Sequence, residues 1–135
     1  MRFLVDENVN YQVTVALRAV YGQHEFRAVT DEGWSGLEDI ELFTRARASR
    51  CAALIRQDKA QLRNERERGA LRSNRLHWVG YEQKGLAGIQ GVAVETATVI
   101  AGLAYVISEI TDAPMAFRIK GIPSERGQRI SAEPV

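Results

Sequence analysis

The sequence predicts one α/β domain, a single-domain three-layer sandwich with helices on both faces of a mostly parallel central sheet. Three observations predict it. Short apolar runs alternate with longer segments of helical period, at a spacing that suits βαβ units. Two of those runs, Phe3-Leu4-Val5 and Ala52-Ala53-Leu54-Ile55, are apolar at every position and so read as fully buried strands. A chain of 135 residues, 45% of them hydrophobic, suits one core and leaves little for a second.

Phe3-Leu4-Val5 is the first strand and stops at Asp6-Glu7-Asn8, where Asn8 is placed to cap the first helix. Val9, Val13, Leu17 and Val20 then recur at helical spacing up to Gly22, a C-cap candidate. Phe26 to Val29 reads as the second strand, followed by a polar loop from Thr30 to Gly36 that contains Trp34. Ser35 and Glu38 have the offset of a capping box and open a helix with Leu37, Ile40 and Phe43 on one face, running toward Arg50. The third strand, Ala52 to Ile55, runs into Arg56-Gln57-Asp58-Lys59, and a basic helix continues from there to about Arg72. Leu76 to Tyr81 reads as strand four, Gly91 to Ile110 as a long apolar helix, Asp112-Ala113-Pro114 as its stop, and Met115 to Ile119 as strand five. Residues 1–122 thus make the domain, and 123–135 a flexible tail. The βαβ connections are expected to be right-handed.

Glu95, Glu109 and several Thr and Ser residues make the long helix a core helix rather than a membrane span. No membrane partner is expected. The start meets acid at Asp6, too soon for a signal peptide, and Cys51 has no second cysteine to pair with. A cytoplasmic location and a buried, inert thiol are the corresponding expectations.

Net charge is only +1, but the charge is unevenly spread. Residues 1–44 hold eight acids against three bases, whereas Arg45 to Arg75 hold ten bases and only Asp58, Glu65 and Glu67 as acids. One region can gather cations and the next can gather phosphates. In open parallel sheets ligands bind beyond the carboxyl ends of the strands, where Asp6 and Asp58 stand. Carboxylates about 4 Å apart repel by about 4 kcal/mol at an effective dielectric of 20, so a convergent pair calls for a neutralising cation. An oxygen-only ligand set, with neither His24 nor His77 at metal-site spacing, favours Mg²⁺ or Mn²⁺, an ion that can activate water for attack on a phosphodiester.

The third ligand is read as Asp39, which lies on the shoulder of the helix's apolar face, nearest Phe43, where it can look along the sheet edge; Glu38 is occupied as the partner of Ser35, and Glu7 points away from Asp6 if the strand persists. Glu82 and Glu95 remain candidates for an outer or second metal position. Each acid also has a plain structural reading: a turn or cap for Asp6, and a salt bridge to Lys59 or Arg56 for Asp58. Lys59, Arg63 and Arg66 stack at i, i+4 and i+7 and could hold RNA phosphates, a spacing repeated by Arg68, Arg72 and Arg75. A solvated helix paired with Glu65 and Glu67 is the alternative. Trp34, Trp78 and Tyr81 are aromatic groups that could stack on bases, with Trp78 better placed in the core.

The opening Arg2-Phe3-Leu4-Val5-Asp6-Glu7-Asn8, the Asp-containing helix start and the strand ending Arg56-Gln57-Asp58-Lys59 together resemble the PIN-like domain family, close to its small toxin-type nucleases, over residues 1 to 82. The resemblance implies a Mg²⁺- or Mn²⁺-dependent endoribonuclease with RNA as substrate, the toxin of a bacterial toxin–antitoxin pair neutralised by a small antitoxin protein. It implies Asp6, Asp39 and Asp58 as metal ligands and leaves a homodimer open. The chain departs from the pattern at Arg56, where the family usually has Thr or Ser, and at Ala60-Gln61, where an Asp-Phe pair is frequent; a clear fourth acid is not visible.

Two other readings compete. A phosphoacceptor receiver domain would use Asp6-Glu7, Asp58 and Lys120, although Trp78-Val79-Gly80-Tyr81 lacks the Thr or Ser it needs at the end of strand four. A non-catalytic module would grip nucleic acid with the basic segment, its carboxylates serving structure alone.

Overall fold

The computed structural model describes residues 1–58, 61–82, 87–123 and 125–134. Strands β1 (Arg2–Val5), β2 (Glu25–Ala28), β3 (Ala53–Gln57), β4 (His77–Tyr81) and β5 (Ala116–Ile119) form one parallel sheet in the order β2-β1-β3-β4-β5. Between them run helices α1 (Tyr11–Val20), α2 (Asp39–Ala48), α3 (Glu65–Ser73) and α4 (Gly88–Glu109). A single exposed turn, α5 (Arg126–Arg129), lies in the segment read as a tail.

Alternation along the strands divides the core into two layers. Phe3, Val5, Ala53, Ile55, Val79 and Tyr81 face α1 and α4, whose Leu17, Val99 and Leu103 complete that layer. Leu4, Leu54 and Trp78 face the opposite way, onto Leu42, Phe43 and Ala46 of α2 and Leu71 of α3. Each large side chain buried in this way contributes about 1.5–3 kcal/mol. Because β1 and β3 are covered on both faces, Phe3-Leu4-Val5 and Ala53-Leu54-Ile55 are apolar at successive positions, without a polar alternation.

The winding departs from expectation once. From β3 to β4 the chain moves outward with α3 on one face; from β4 to β5 it moves outward again, but with α4 on the other face. The last crossover therefore has the opposite hand to the one before it, against the rule of uniform right-handed connections. The layer beside α1 supplies a reason. Without α4, that face of a five-stranded sheet would have only the ten-residue α1 to cover it. By length and composition α4 is apolar enough to cross a membrane, yet here it buries Gly91, Glu95, Thr98, Val99, Leu103 and Val106 in the fold.

Several local expectations need correction. Asn10, not Asn8, caps α1, its side chain accepting from the Gln12 N–H at 2.9 Å, and the helix ends on Tyr21 rather than Gly22. Ser35 and Glu38 do not form a capping box: Gly36 adopts φ +78°, which breaks any helix opening there, and Glu38 itself becomes the N-cap of α2. The basic helix does not begin after Asp58. Gln61–Arg63 form a 3₁₀ turn, and Asn64 then caps α3 by accepting from the Arg66 N–H at 2.9 Å.

Candidate functional site

β1 lies between β2 and β3, so the chain reverses its winding direction at the β1–β3 boundary, the place at the carboxyl edge where open parallel sheets take their ligands. Asp6 follows β1 directly, and its N–H donates to Ile55 O at 2.9 Å, prolonging the β1–β3 pairing by one step. By alternation from Leu4 its side chain turns to the α2–α3 face. Arg56 reaches the same face by alternation from Leu54. There Arg56 Nη2 meets Asp6 Oδ2 at 2.8 Å, while Nη1 donates to Asp39 Oδ1, on the first residue of α2, at 3.1 Å. Asp6 and Arg56 are each only 5% exposed. The second Asp6 oxygen, Oδ1, accepts from the Glu7 N–H at 2.9 Å.

A buried charge needs a partner with good geometry, and a guanidinium offers several donors in a fixed plane. Arg56 spends two of them on two carboxylates, and its Nε is buried without a partner. Asp58 lies at the same edge and on the same face, but it pairs with Arg118 of β5, and its N–H donates to Tyr81 O at 2.7 Å. The Arg118 guanidinium in turn lies 5.2 Å over the Trp78 ring. Each of the three carboxylates read as metal ligands thus meets an arginine. In this arrangement they do not fit a divalent ion: the place between Asp6 and Asp39 is filled by a guanidinium, and among the described residues no group of three or more His, Cys, Asp or Glu could hold one.

A second polar cluster occupies the α1–α4 face of the same edge. Glu95 of α4, 3% exposed, accepts at Oε1 from Tyr81 OH at 2.5 Å, Gln57 Nε2 at 3.1 Å and the Asn10 N–H at 3.4 Å. Burial, then the neighbouring Glu95 carboxylate, pushes the Tyr81 hydroxyl far above its ordinary range, so it stays a donor. Asn8 Oδ1 accepts from the Gln57 N–H at 3.3 Å. Glu95 is therefore divided from Asp6 by the sheet, and it holds strand ends together instead of extending the acid set. Glu7 is exposed and accepts from the Gly36 N–H at 3.1 Å, tying β1 to the loop before α2.

The expected phosphate grip changes more. Lys59 lies outside the described residues, while Arg63 and Arg66 fall on two different elements, the 3₁₀ turn and α3, so they form no single helical row. Arg56 belongs to the acids, Arg45 to Glu41 and Arg72 to Glu65. Trp78 and Tyr81 are buried and have no face free for a base, while Trp34 packs half-buried beside the second core layer. Burial pushes the Cys51 thiol up to about 11, in keeping with an inert core cysteine.

Asp6 makes a pH prediction. Burial raises its pKa, and Arg56 only partly opposes the rise. The folded state then holds this proton more tightly than the unfolded chain. Its contribution to stability is full below the ordinary carboxylate pKa and is lost as pH rises through the raised value. Asp6→Asn should flatten this part of the profile, so urea midpoints should fall less between pH 4 and pH 7 in the variant than in the wild type. Parallel profiles would show that Asp6 is not held in this way.

The match to known families covers this acidic edge. A family model described as a PIN like domain matches residues 1–82, a span that contains Asp6, Asp39, Arg56, Asp58 and the whole β1–β4 frame. No curated protein and no solved structure matches the chain. PIN-like domains are generally nucleases, and the matched span is more than half of the 135 residues. On that match, with its acids gathered at the carboxyl edge of a parallel sheet, the chain belongs to the PIN-like domain family.

Proposed function

We propose that this chain binds RNA through its arginine-rich surface, with Arg56 acting at the acidic edge as a built-in counter-charge, so that RNA is held without a divalent ion and without being cut. The observation that carries this reading is the pair of contacts from Arg56 to Asp6 and Asp39. A protein cation does there what an ion would otherwise do, and it has no labile water to supply for hydrolysis. Family membership supports a polynucleotide ligand, and the exposed Arg47, Arg50, Arg63, Arg66 and Arg75 supply the charge to hold one. The sheet order alone would also suit a receiver domain, but the family match and the displaced α4 speak for the PIN-like alternative.

The test is binding of labelled single-stranded RNA in EDTA and in Mn²⁺, with the RNA examined afterwards for cuts. Equal affinity in both, intact RNA and binding that weakens with salt are the expected results. Cleavage that needs Mn²⁺ and disappears in Asp6→Asn would overturn the reading.

That outcome would favour a second one, a Mg²⁺- or Mn²⁺-dependent endoribonuclease of toxin type with a small antitoxin partner. The specific observation on its side is that Asp6, Asp39 and Asp58 all lie within the matched span of a family that usually uses divalent metals. It requires Arg56 to leave its two carboxylates.

A further inference from the structure

Helices α2 and α3 end alike. After the C-cap residues Ser49 and Asn74 comes an arginine in the left-handed conformation, Arg50 at φ 59° and Arg75 at φ 49°. Cys51 and Leu76 come next, their N–H groups closing onto Ala46 O at 2.9 Å and Leu71 O at 3.0 Å as the chain enters β3 and β4. Glycine or asparagine is the usual occupant of such a position, and other L residues strain the backbone there. Among the described residues, Arg50 and Arg75 are the non-glycine residues with positive φ.

β3 and β4 are neighbours, paired from Ala53 and His77 onward, so the two turns lie side by side at the amino edge of the sheet. This is the end opposite Asp6. An open cleft of about 550 Å³ lies there, lined by Arg47, Arg50, Arg75, His77, Thr111 and Asp112 among others. His77 is committed to the fold: Nδ1 accepts from the Met115 N–H at 3.1 Å, which leaves Nε2 to donate to Thr111 O at 3.0 Å. Among the described residues, Arg47, Arg50 and Arg75 make no ion pair, whereas Arg45 and Arg72 on the same helices are paired with Glu41 and Glu65. Asp112 brings one carboxylate to set against three guanidinium groups.

A cation near a helix C-terminus is favoured by the helix dipole. The last helical turn offers that gain without a strained backbone, so the dipole does not account for arginine in the left-handed position twice.

We propose that this cleft at the amino edge seats phosphates of an RNA strand, held by Arg47, Arg50 and Arg75. The identity of the polymer rests on the proposed RNA function; the cleft and its unpaired cations do not. It replaces the row of Lys59, Arg63 and Arg66 as the main grip on the backbone.

The double variant Arg50→Gly with Arg75→Gly tests it, because glycine suits both turns and the variant should resist urea no less than the wild type. Binding of labelled single-stranded RNA is measured in EDTA over a salt series for wild type, the double variant, Arg47→Gln, and Arg63→Gln with Arg66→Gln. Loss of two phosphate contacts should lower the slope of log affinity against log salt by about 1.4, at about 0.7 per contact. Arg47→Gln should lower it by about half as much. An unchanged slope in both cleft variants, with the loss falling on the Arg63 and Arg66 variant, would overturn the cleft and leave the RNA reading standing. Failure of the wild type to bind RNA would overturn both. Binding of inorganic phosphate, followed by its NMR signal, in a protein that ignores RNA would assign the cleft to a small oxyanion and equally overturn the proposal.

Discussion

Arg56→Ala is expected to destabilise the domain by about 3–5 kcal/mol at neutral pH in EDTA, the range for removing one partner of a buried ion pair. The loss comes mainly from the carboxylates left behind. Asp6, 5% exposed, would keep one backbone N–H donor and lose its cation, and Asp39 would face it across the emptied space. Lowering the pH should recover part of the loss, since protonating Asp6 removes the uncompensated charge, and burial already raises its pKa. Mn²⁺ should recover more. With the guanidinium gone, two carboxylates and a vacated space suit a divalent ion, and at a concentration 100 times its Kd an ion bound only to the folded state adds about 2.7 kcal/mol. Urea titrations in EDTA, and thermal melts with and without Mn²⁺, measure both effects. A loss below about 1 kcal/mol, or a Mn²⁺ shift as large in the wild type as in Arg56→Ala, would mean that Arg56 is not the resident cation of this edge.

Much of this frame is legible in the sequence. Apolar runs that end on charge locate β1 and β3 and put Asp6 and Asp58 at one edge, because a strand buried on both faces must meet a functional or capping group where it leaves the sheet. That Arg56 is what joins Asp6 to Asp39 is less legible. Pairing acids leads naturally to an ion, whereas the period of two along β3 already sends Leu54, Arg56 and Asp58 to the face that Asp6 shares. The break before α3 also had a signal: Asn64 and Glu67 stand at capping-box offset, and Asn64 Nδ2 donates to Glu67 Oε1 at 3.3 Å. Ser35 and Glu38 show the same offset, but Gly36 between them takes a backbone that no helix admits. The placement of α4 had no local signal, since the demand it meets is the uncovered face of the whole sheet. Nor did the cleft of Arg47, Arg50 and Arg75, which depends on β3 and β4 becoming neighbours.

Gly80→Ala is expected to cost about 3 kcal/mol, at the upper end of the range for overpacking a core. Trp78 and Gly80 share a face of β4, and the Trp78 indole lies along the strand across Gly80, so an added Cβ would fall within the ring. Trp78 is 1% exposed, packs in the layer of α2 and α3, and is covered from β5 by the Arg118 guanidinium that also holds Asp58. Displacing it would disturb both the Asp58 pair and Tyr81, the next residue on the strand, whose hydroxyl reaches Glu95. A double-mutant cycle isolates the cause. Trp78→Leu removes the obstructing ring together with an indole N–H that is buried without a partner, so its own cost of about 2–3 kcal/mol should be softened at that atom. In the Trp78→Leu background Gly80→Ala should then be nearly neutral, giving a coupling of about 2–3 kcal/mol by urea denaturation. Additive costs would show that glycine is needed at this position for its backbone and not for the ring above it, and the account of how β4 delivers Tyr81 to the edge would have to change.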